Sequence, residues 1–441
     1  MNLNQTLQEK YPHLEVSVLK LSEVKKNIDF RIDDSFWTMK LIYNNKLNYK
    51  KIGECLLKSQ YGISINMNEG GDGIPIYRMN DIDNMLCNFE VKKYALIDKN
   101  ELQTFRLNYG DVLFNRTNSY EFVGRTGIFY NNRENFVFAS YLVRLVCNKE
   151  ILLPEYLTVF LNTHIGKKEI RRRARPSINQ TNVNPEELKE IKIPIFPMEF
   201  QLEIQNLVKD SHKALEESKE LYKKAEETLY LELGLDPKNP LQSLLDSKTN
   251  NPTKSLNISI HTLKESFLKT GRLDSEYYQK KYEINEKIIM NKKYTVLDNL
   301  VSITKSIEPG SNLYKNKGIP FIRVANLTQY GLSEGDVFLD EKDFFPQYLQ
   351  ILYPKKDTIL FSKDGSVGIA YCVKEDKEVI TSGAILHLNI KDKENILPEY
   401  LTLFLNSIFV KLQAQRDCGG SIISHWRIED IKKVLVAILD I

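Results

Sequence analysis

The sequence predicts an α+β protein in which two tandem, homologous domains of mixed helix and strand are joined by a long coiled-coil-type helix. Three observations carry this. LPEYLTVFLNT at Leu153–Thr163 returns as LPEYLTLFLNS at Leu397–Ser407, identical at nine of eleven positions. The flanking sequence keeps nearly the same offset. LEVSVLKLSEVKKNIDFRID from Leu14 lies over LNISIHTLKESFLKTGRLD from Leu256, GIPIYRMNDI from Gly73 over GIPFIRVANL from Gly318, and EELKEIKIPI from Glu186 over EDIKKVLVAI from Glu429. Between the copies runs a long stretch free of helix breakers, Met198 to Leu233. A unit of about 185 residues far exceeds the roughly 20–50 residues of a solenoid repeat, so a whole domain is duplicated.

Length and composition agree. A chain of 441 residues is too long for one hydrophobic core and suits two or three. It is 42% hydrophobic and 27% charged. It has no apolar run near the ~18 residues of a membrane span, and its N-terminus, MNLNQTLQEKYPH, has no apolar signal core. The five cysteines, Cys55, Cys87, Cys147, Cys372 and Cys418, are scattered, odd in number and never in a C-x-x-C pair. That argues against a disulfide framework or a zinc site and points to a reducing, cytoplasmic setting.

In each copy, short runs rich in Ile, Val, Phe and Tyr are broken by Gly, Asn and Asp. YGDVLFNRTNSYEFVGRTGIFY (Tyr109–Tyr130) and its partner KKDTILFSKDGSVGIAYCV read as strand, loop, strand. The loops place Arg116 and Lys363 at corresponding positions, then differ until a shared Val-Gly, Val123-Gly124 and Val367-Gly368. The repeated helix follows, opened by Pro154 and Pro398 where a missing N–H is harmless. Its apolar residues recur at helical spacing, so the eleven repeated residues read as core.

Past the first copy's Pro-punctuated strand, Ile204, Val208, Ser211, Leu215, Ser218, Tyr222, Ala225 and Leu229 alternate by four and three, one heptad seam. Its members Ile204, Val208, Leu215, Tyr222 and Leu229 are expected to meet a partner helix, with the small residues allowing close approach. Gly234 stops the helix, and a polar, Pro-bearing linker follows. The expected organisation is a first domain at 1–197, a spacer helix at 198–236, a linker at 237–255 and a second domain at 256–441.

Net charge is only +3, so local clustering matters more than the total. KKEIRRRAR, Lys167–Arg175, holds six basic residues and one acidic, and PSINQTN follows. A charge run of this kind is commonly a solvated helix face. Guanidiniums beside amides and hydroxyls are also the chemistry that meets phosphates and base edges. Arg171, Arg172, Arg173 and Arg175 are therefore candidate phosphate contacts. Candidate base readers are Arg116 and Asn118 with Ser177, Asn179, Gln180 and Thr181 in the first copy, and Lys363 and Asp364 with Ser421, Ser424 and His425 in the second. Arg416, at the end of the second copy's helical region, is a further candidate DNA contact. Trp426 reads equally as core or as reader.

Catalytic signatures are missing from the sequence: no Asn-Pro-Pro-Tyr-type tetrad, no phosphate loop with G-K-[ST], no H-E-x-x-H and no Cys/His metal spacing. The six histidines are spread singly, and triplets such as Glu375-Asp376-Lys377 are expected by chance in so charged a chain.

The turn with Ser177 and Gln180 (Gly419-Gly420-Ser421 in the second copy), the Ile-Pro-Ile strand, the element Pro197-Met198-Glu199-Phe200-Gln201 and the heptad helix come in an order that resembles the specificity subunit of type I restriction-modification enzymes. RIDDSFW at Arg31 and RLDSEYY at Arg272 are similar to the target recognition domains of that family. The resemblance covers nearly the whole chain. It implies two target recognition domains, each reading one half of a split double-stranded DNA sequence. It also implies helical regions that space them and dock DNA methyltransferase subunits and a restriction/translocase subunit. It implies no catalysis, cofactor or metal in this chain, with S-adenosylmethionine, ATP and Mg used by the partners, and no membrane. The alternatives are the recognition part of a type IIB/IIG-like bifunctional restriction system, a nuclease with an unrecognised carboxylate cluster, or a protein-interaction scaffold without DNA specificity. Relatives usually carry a second long helix after the second domain, whereas this sequence stops at VLVAILDI. A lone seam is expected to self-associate or to need a partner.

Overall fold

The computed structural model describes residues 3–439 apart from 15, 17, 40, 84, 89–90, 132–134, 179, 247–258, 334, 336 and 419–423. Candidates Asn179 and Ser421, and residues 247–255 of the expected linker, lie outside the described residues. The chain divides into two units, 1–217 and 218–441.

In the first unit, β1 (Leu56–Tyr61), β2 (Ile74–Tyr77), β3 (Val112–Asn115), β4 (Thr126–Ile128), β5 (Val137–Phe138) and β6 (Leu142–Cys147) carry the architecture. The main sheet runs β1-β6-β3-β4, antiparallel at each step, and is extended by Leu86–Cys87 and Ile82–Asp83. β3, VLFN, is buried along its whole length, as a central strand must be. β2 pairs parallel with β5 in a smaller sheet. Behind the main sheet lie α1 (Pro154–Asn162) and α2 (His164–Arg173). Thr163 ends one helix and caps the next, its hydroxyl accepting from the Gly166 N–H at 3.1 Å. Leu157, Phe160 and Leu161 of α1 pack with Val112, Phe114 and Val143 in one core, so packing explains the repeated residues.

The long helix α3 (Met198–Glu232) has 35 residues, about 52 Å at a 1.5 Å rise. Its start belongs to the first unit. The buried Gln201 side chain accepts from the Leu153 N–H at 2.9 Å and donates to the carbonyls of Ile151 and Phe196 at 3.1 and 3.0 Å. The Pro-x-Glu-x-Gln element thus caps the helix that the chain repeats.

The second unit rebuilds the same plan with β7 (Val301–Lys305), β8 (Ile319–Ile322), β9 (Ile359–Ser362), β10 (Ala370–Cys372), β11 (Ile380–Thr381) and β12 (Ile385–Ile390), followed by α4 (Pro398–Asn406) and α5 (Ile408–Asp417). Its main sheet runs β7-β12-β9-β10, the order of the first unit, and β8 pairs parallel with β11. Each unit is closed by a two-stranded pair, Tyr49–Lys51 with Lys192–Pro194 and Tyr294–Val296 with Leu435–Ala437. The repeated Gly-Ile-Pro has a steric cause. Gly73 and Gly318 sit at φ +103° and +136°, and a Cβ on either would lie 2.2 Å from the carbonyl oxygen of Ala95 or Leu339.

Two expectations change. The start of the linker is a helix, Pro240–Asp246, with Leu244 fully buried in the second unit's core. The expected partner seam is largely committed to the chain itself. Ile204 packs on the first core, the Tyr222 ring meets Tyr330 at 5.3 Å, and Leu229 is 2% exposed within the second core. Val208 and Leu215 are half-buried. The face of α3 left open carries Phe200, Leu207 and Leu221, with Ser211, Ala214 and Ser218 beside them. An amphipathic helix turns its richest apolar face onto the nearest core, so the row at 204, 208, 215, 222 and 229 went inward and the neighbouring row stayed out.

Candidate nucleic-acid interface

At the end of β3 the chain enters the Arg116 loop, and at the end of β9 the Lys363 loop. In both units the loop is tied to the segment that follows the paired helices. The Val183 N–H donates to the Arg116 carbonyl at 2.9 Å, and the Trp426 N–H to the Lys363 carbonyl at 2.8 Å. Fixed segments also bind the loops from the other side: the Arg116 N–H donates to the Tyr141 carbonyl at 3.0 Å, and the Lys363 N–H to that of Ala384 at 2.9 Å. Two segments distant in sequence are thereby brought together once in each unit.

In the first unit Thr117–Asn118, Thr181–Asn182 and Arg175–Pro176 form a small antiparallel sheet, with Asn118 opposite Thr181. Thr181 is buried. Ser177 and Gln180 close the hairpin turn, the Ser177 N–H donating to the Gln180 carbonyl at 2.7 Å, and both are exposed. The half-buried Arg116 guanidinium lies 5.1 Å from the exposed Tyr61 ring and donates to the Ser140 carbonyl at 3.3 Å. In the second unit Asp364 and His425 form a β-bridge, and their side chains are hydrogen-bonded. The Lys363 ammonium is buried on the Asp364 carboxylate, so Asp364 and the exposed His425 are what this loop presents. Ser424 is half-buried beside them, its carbonyl accepting from the Gly365 N–H at 2.9 Å. Trp426 is fully buried and belongs to the core.

The basic run divides. Arg171 is exposed, its guanidinium 5.8 Å from the Tyr120 ring. Arg175 is exposed but ion-paired with Asp29 and Glu187. Arg172 and Arg173, expected on phosphates, point inward. Arg173 is 6% exposed and bonded to the buried Glu169. Arg172 donates to the Phe36 carbonyl at 2.6 Å, and burial pulls its pKa below the ordinary arginine value. Arg416 is committed in the same way, to Glu286 and Asp417.

The cause is a device present in both units. Arg31 forks onto Asp33 and donates to the Arg173 carbonyl at 2.9 Å. Arg272 forks onto Asp274 and donates to the Asp417 carbonyl at 3.2 Å. Each places a cation on the C-terminal carbonyls of a helix, α2 or α5, where the helix dipole favours it. These hydrogen bonds hold Asp33 and Asp274 below the usual carboxylate range. Each clamp also brings two guanidiniums onto one aromatic ring. Phe36 lies 4.8 Å from Arg31 and 4.4 Å from Arg172, and Tyr277 lies 4.7 Å from Arg272 and 5.4 Å from Arg416. Arg172 and Arg416 are therefore matched structural residues.

Sequence reasoning passed over Arg78 and Arg323, read only as part of the repeated GIPIYR and GIPFIR. They follow β2 and β8 directly, beside the loops, and the repetition was the signal. Among the described residues no cluster of His, Cys, Asp and Glu is placed to hold a metal ion. Among them, too, no helix is long and apolar enough to cross a membrane.

Comparison with known proteins yields a family. The family model described as Type I restriction modification DNA specificity domain matches residues 18–227 and 293–438. The chain is similar to the putative type I restriction enzyme MjaX specificity subunit of Methanocaldococcus jannaschii, 30% identical over 151 residues, 34% of this chain and 35% of that one. It is also similar to the type I restriction enzyme EcoKI specificity subunit of Escherichia coli K12, 27% identical over 161 residues, 36% of this chain and 34% of that one. Each match spans about a third of the curated relative's length. Among solved structures, the S subunit of a type I restriction-modification system from M. genitalium aligns with TM-score 0.40 and 14% identity, covering 90% of this chain and 87% of that one. The HsdS subunit from Thermoanaerobacter tengcongensis aligns with TM-score 0.30 and 13% identity, covering 90% and 86%.

Proposed function

We propose, from the premise that this chain belongs to the type I restriction modification DNA specificity family, that it is the sequence-reading component of a restriction-modification complex. Each unit reads one half of a split duplex sequence. Methyl transfer and cleavage, with their S-adenosylmethionine, ATP and Mg, reside in partner subunits. The observation that carries this is the doubled junction of a loop and a post-helix segment, built on one scaffold but tipped with different side chains. Shared scaffold with private tips is what two separate base specificities require.

The first unit's readers are Asn118, Ser177 and Gln180, and the second's are Asp364, Ser424 and His425. Loss of a good bidentate base contact costs about 1–3 kcal/mol of discrimination at one position. Asn118→Ala is expected to relax one half of the selected sequence and His425→Ala the other, measured by selection from randomised duplexes. One substitution that relaxes both halves would contradict two independent readers, and a wild-type chain with no preference would remove the function.

The open stripe of α3, Phe200, Leu207 and Leu221 flanked by small residues, suits close packing of a helix from a methyltransferase subunit. Leu207→Glu with Leu221→Glu is expected to abolish co-purification with that subunit while DNA binding persists. Unchanged co-purification would place the docking surface elsewhere.

A further inference from the structure

We propose that Arg78 and Arg323 are matched phosphate contacts, one beside each reading loop. This rests on the recognition function above and assigns it a part common to both halves.

The two arginines end the repeated GIPIYR and GIPFIR and occupy one position in the fold. The residue before each, Tyr77 or Ile322, accepts through its carbonyl from Ala139 at 2.9 Å or Ser382 at 2.8 Å. The segments that begin there, through Tyr141 and Ala384, bind the Arg116 and Lys363 loops. In the first unit Asn115, which precedes Arg116, also donates to the Met79 carbonyl at 3.4 Å. Each arginine therefore stands next to a reading loop.

Its backbone is held the same way in both. The Arg78 N–H donates to the Asp81 carboxylate at 2.8 Å and the Arg323 N–H to the Asn326 side-chain oxygen at 3.1 Å, each opening one turn of 3-10 helix. Asp81 and Asn326 are both buried. In the first unit the carboxylate also lies 3.5 Å from the Arg78 Nε, but the second unit has a neutral amide in that place. The duplicated feature is thus an arginine whose backbone is fixed by its own short turn. Both arginines remain half-exposed.

The loop tips differ between the units, as base readers must when the half-sites differ. A cationic group kept identical beside differing tips suits the part of DNA that does not vary, the phosphodiester backbone. The planar guanidinium presents paired donors to phosphate oxygens.

The test is binding of the full chain to its selected duplex across a salt series, with sequence preference measured on the same proteins. Each phosphate contact contributes about 0.9 to the slope of log affinity against log salt. Arg78→Ala and Arg323→Ala are each expected to flatten the slope by about 0.9, and the double variant by about twice that, with preference unchanged in both halves. Arg78→Lys and Arg323→Lys, which keep the charge and guard against misfolding, are expected to restore the slope. An unchanged slope in the alanine variants with preference intact overturns the proposal and leaves the recognition function standing. Relaxed preference in one half also overturns it, because the arginine would then read a base. Should the wild type select no sequence, the recognition function falls, while the slope change still decides the phosphate contacts.

Discussion

Replacing Arg31 by alanine is expected to destabilise the first unit by about 3–5 kcal/mol, the cost of removing one partner from a buried ion pair. The Arg31 side chain is 5% exposed, and it faces Glu187, 2% exposed, at 3.2 Å. Its loss strands that carboxylate with Arg175 alone, leaves the α2 C-terminus without its cation, and opens one face of Phe36. The second clamp is wetter: Arg272 is 23% exposed and Asp274 44%. Where the first unit has Glu187 the second has Asp430, whose carboxylate is taken by Arg427 at 2.7 Å. Arg272→Ala is therefore expected to cost only about 1–2 kcal/mol, the scale of hydrogen bonds to a charged group. Hydrogen exchange resolved to residues 31–195 and 260–439 would measure each loss in its own unit. Equal losses would show that burial of Glu187 does not set the difference.

Acidification is expected to loosen the second unit through His387. This residue is 6% exposed on β12, 2.8 Å from the Thr381 hydroxyl, and burial pushes its pKa down to about 4 from the ordinary 6.5. Above about pH 6.5 neither folded nor unfolded chain holds the proton, and the folded state keeps its full stability. As pH falls from 6.5 toward 4, the unfolded chain takes up the proton and the folded one refuses it, so stability declines by up to about 3 kcal/mol. The first unit has Arg144 at the corresponding position, bonded to Asp111 and Gln60. His387→Gln keeps a hydrogen-bonding group for Thr381 and is expected to remove this part of the pH dependence. The check is the difference in second-unit stability between wild type and variant at pH 7 and pH 4.5. A constant difference would mean that the imidazole is protonated in the fold.

The duplication, the α+β class, the packed repeated helix and the long helix were all legible in the sequence. So was the correspondence of the two loops, and of the two segments after the helices, because shared and private residues alternate along the two copies at a nearly constant offset. Periodicity and repetition are local properties, and local properties are written in the chain. The division of the arginines was not. Arg172 and Arg173 read as phosphate contacts in a basic run and Arg416 as a further DNA contact, yet each is held by groups that include partners distant in sequence: Phe36 for Arg172, Arg31 on the carbonyl of Arg173, and Glu286 with Tyr277 for Arg416.

The sequence put the partner face of α3 on the row at 204, 208, 215, 222 and 229, and the structure turned that row largely inward for a related reason. Ser211, Ser218 and Ala225 lie between two apolar rows, and both rows satisfy the heptad. The sequence by itself determined that there are two units of one design and a helix with a stripe to bury. Only the tertiary structure decided which stripe was buried and which arginines were consumed in holding helix ends. Burial of a charge or a helix face depends on what the fold brings within a few ångströms, and no local spacing encodes that.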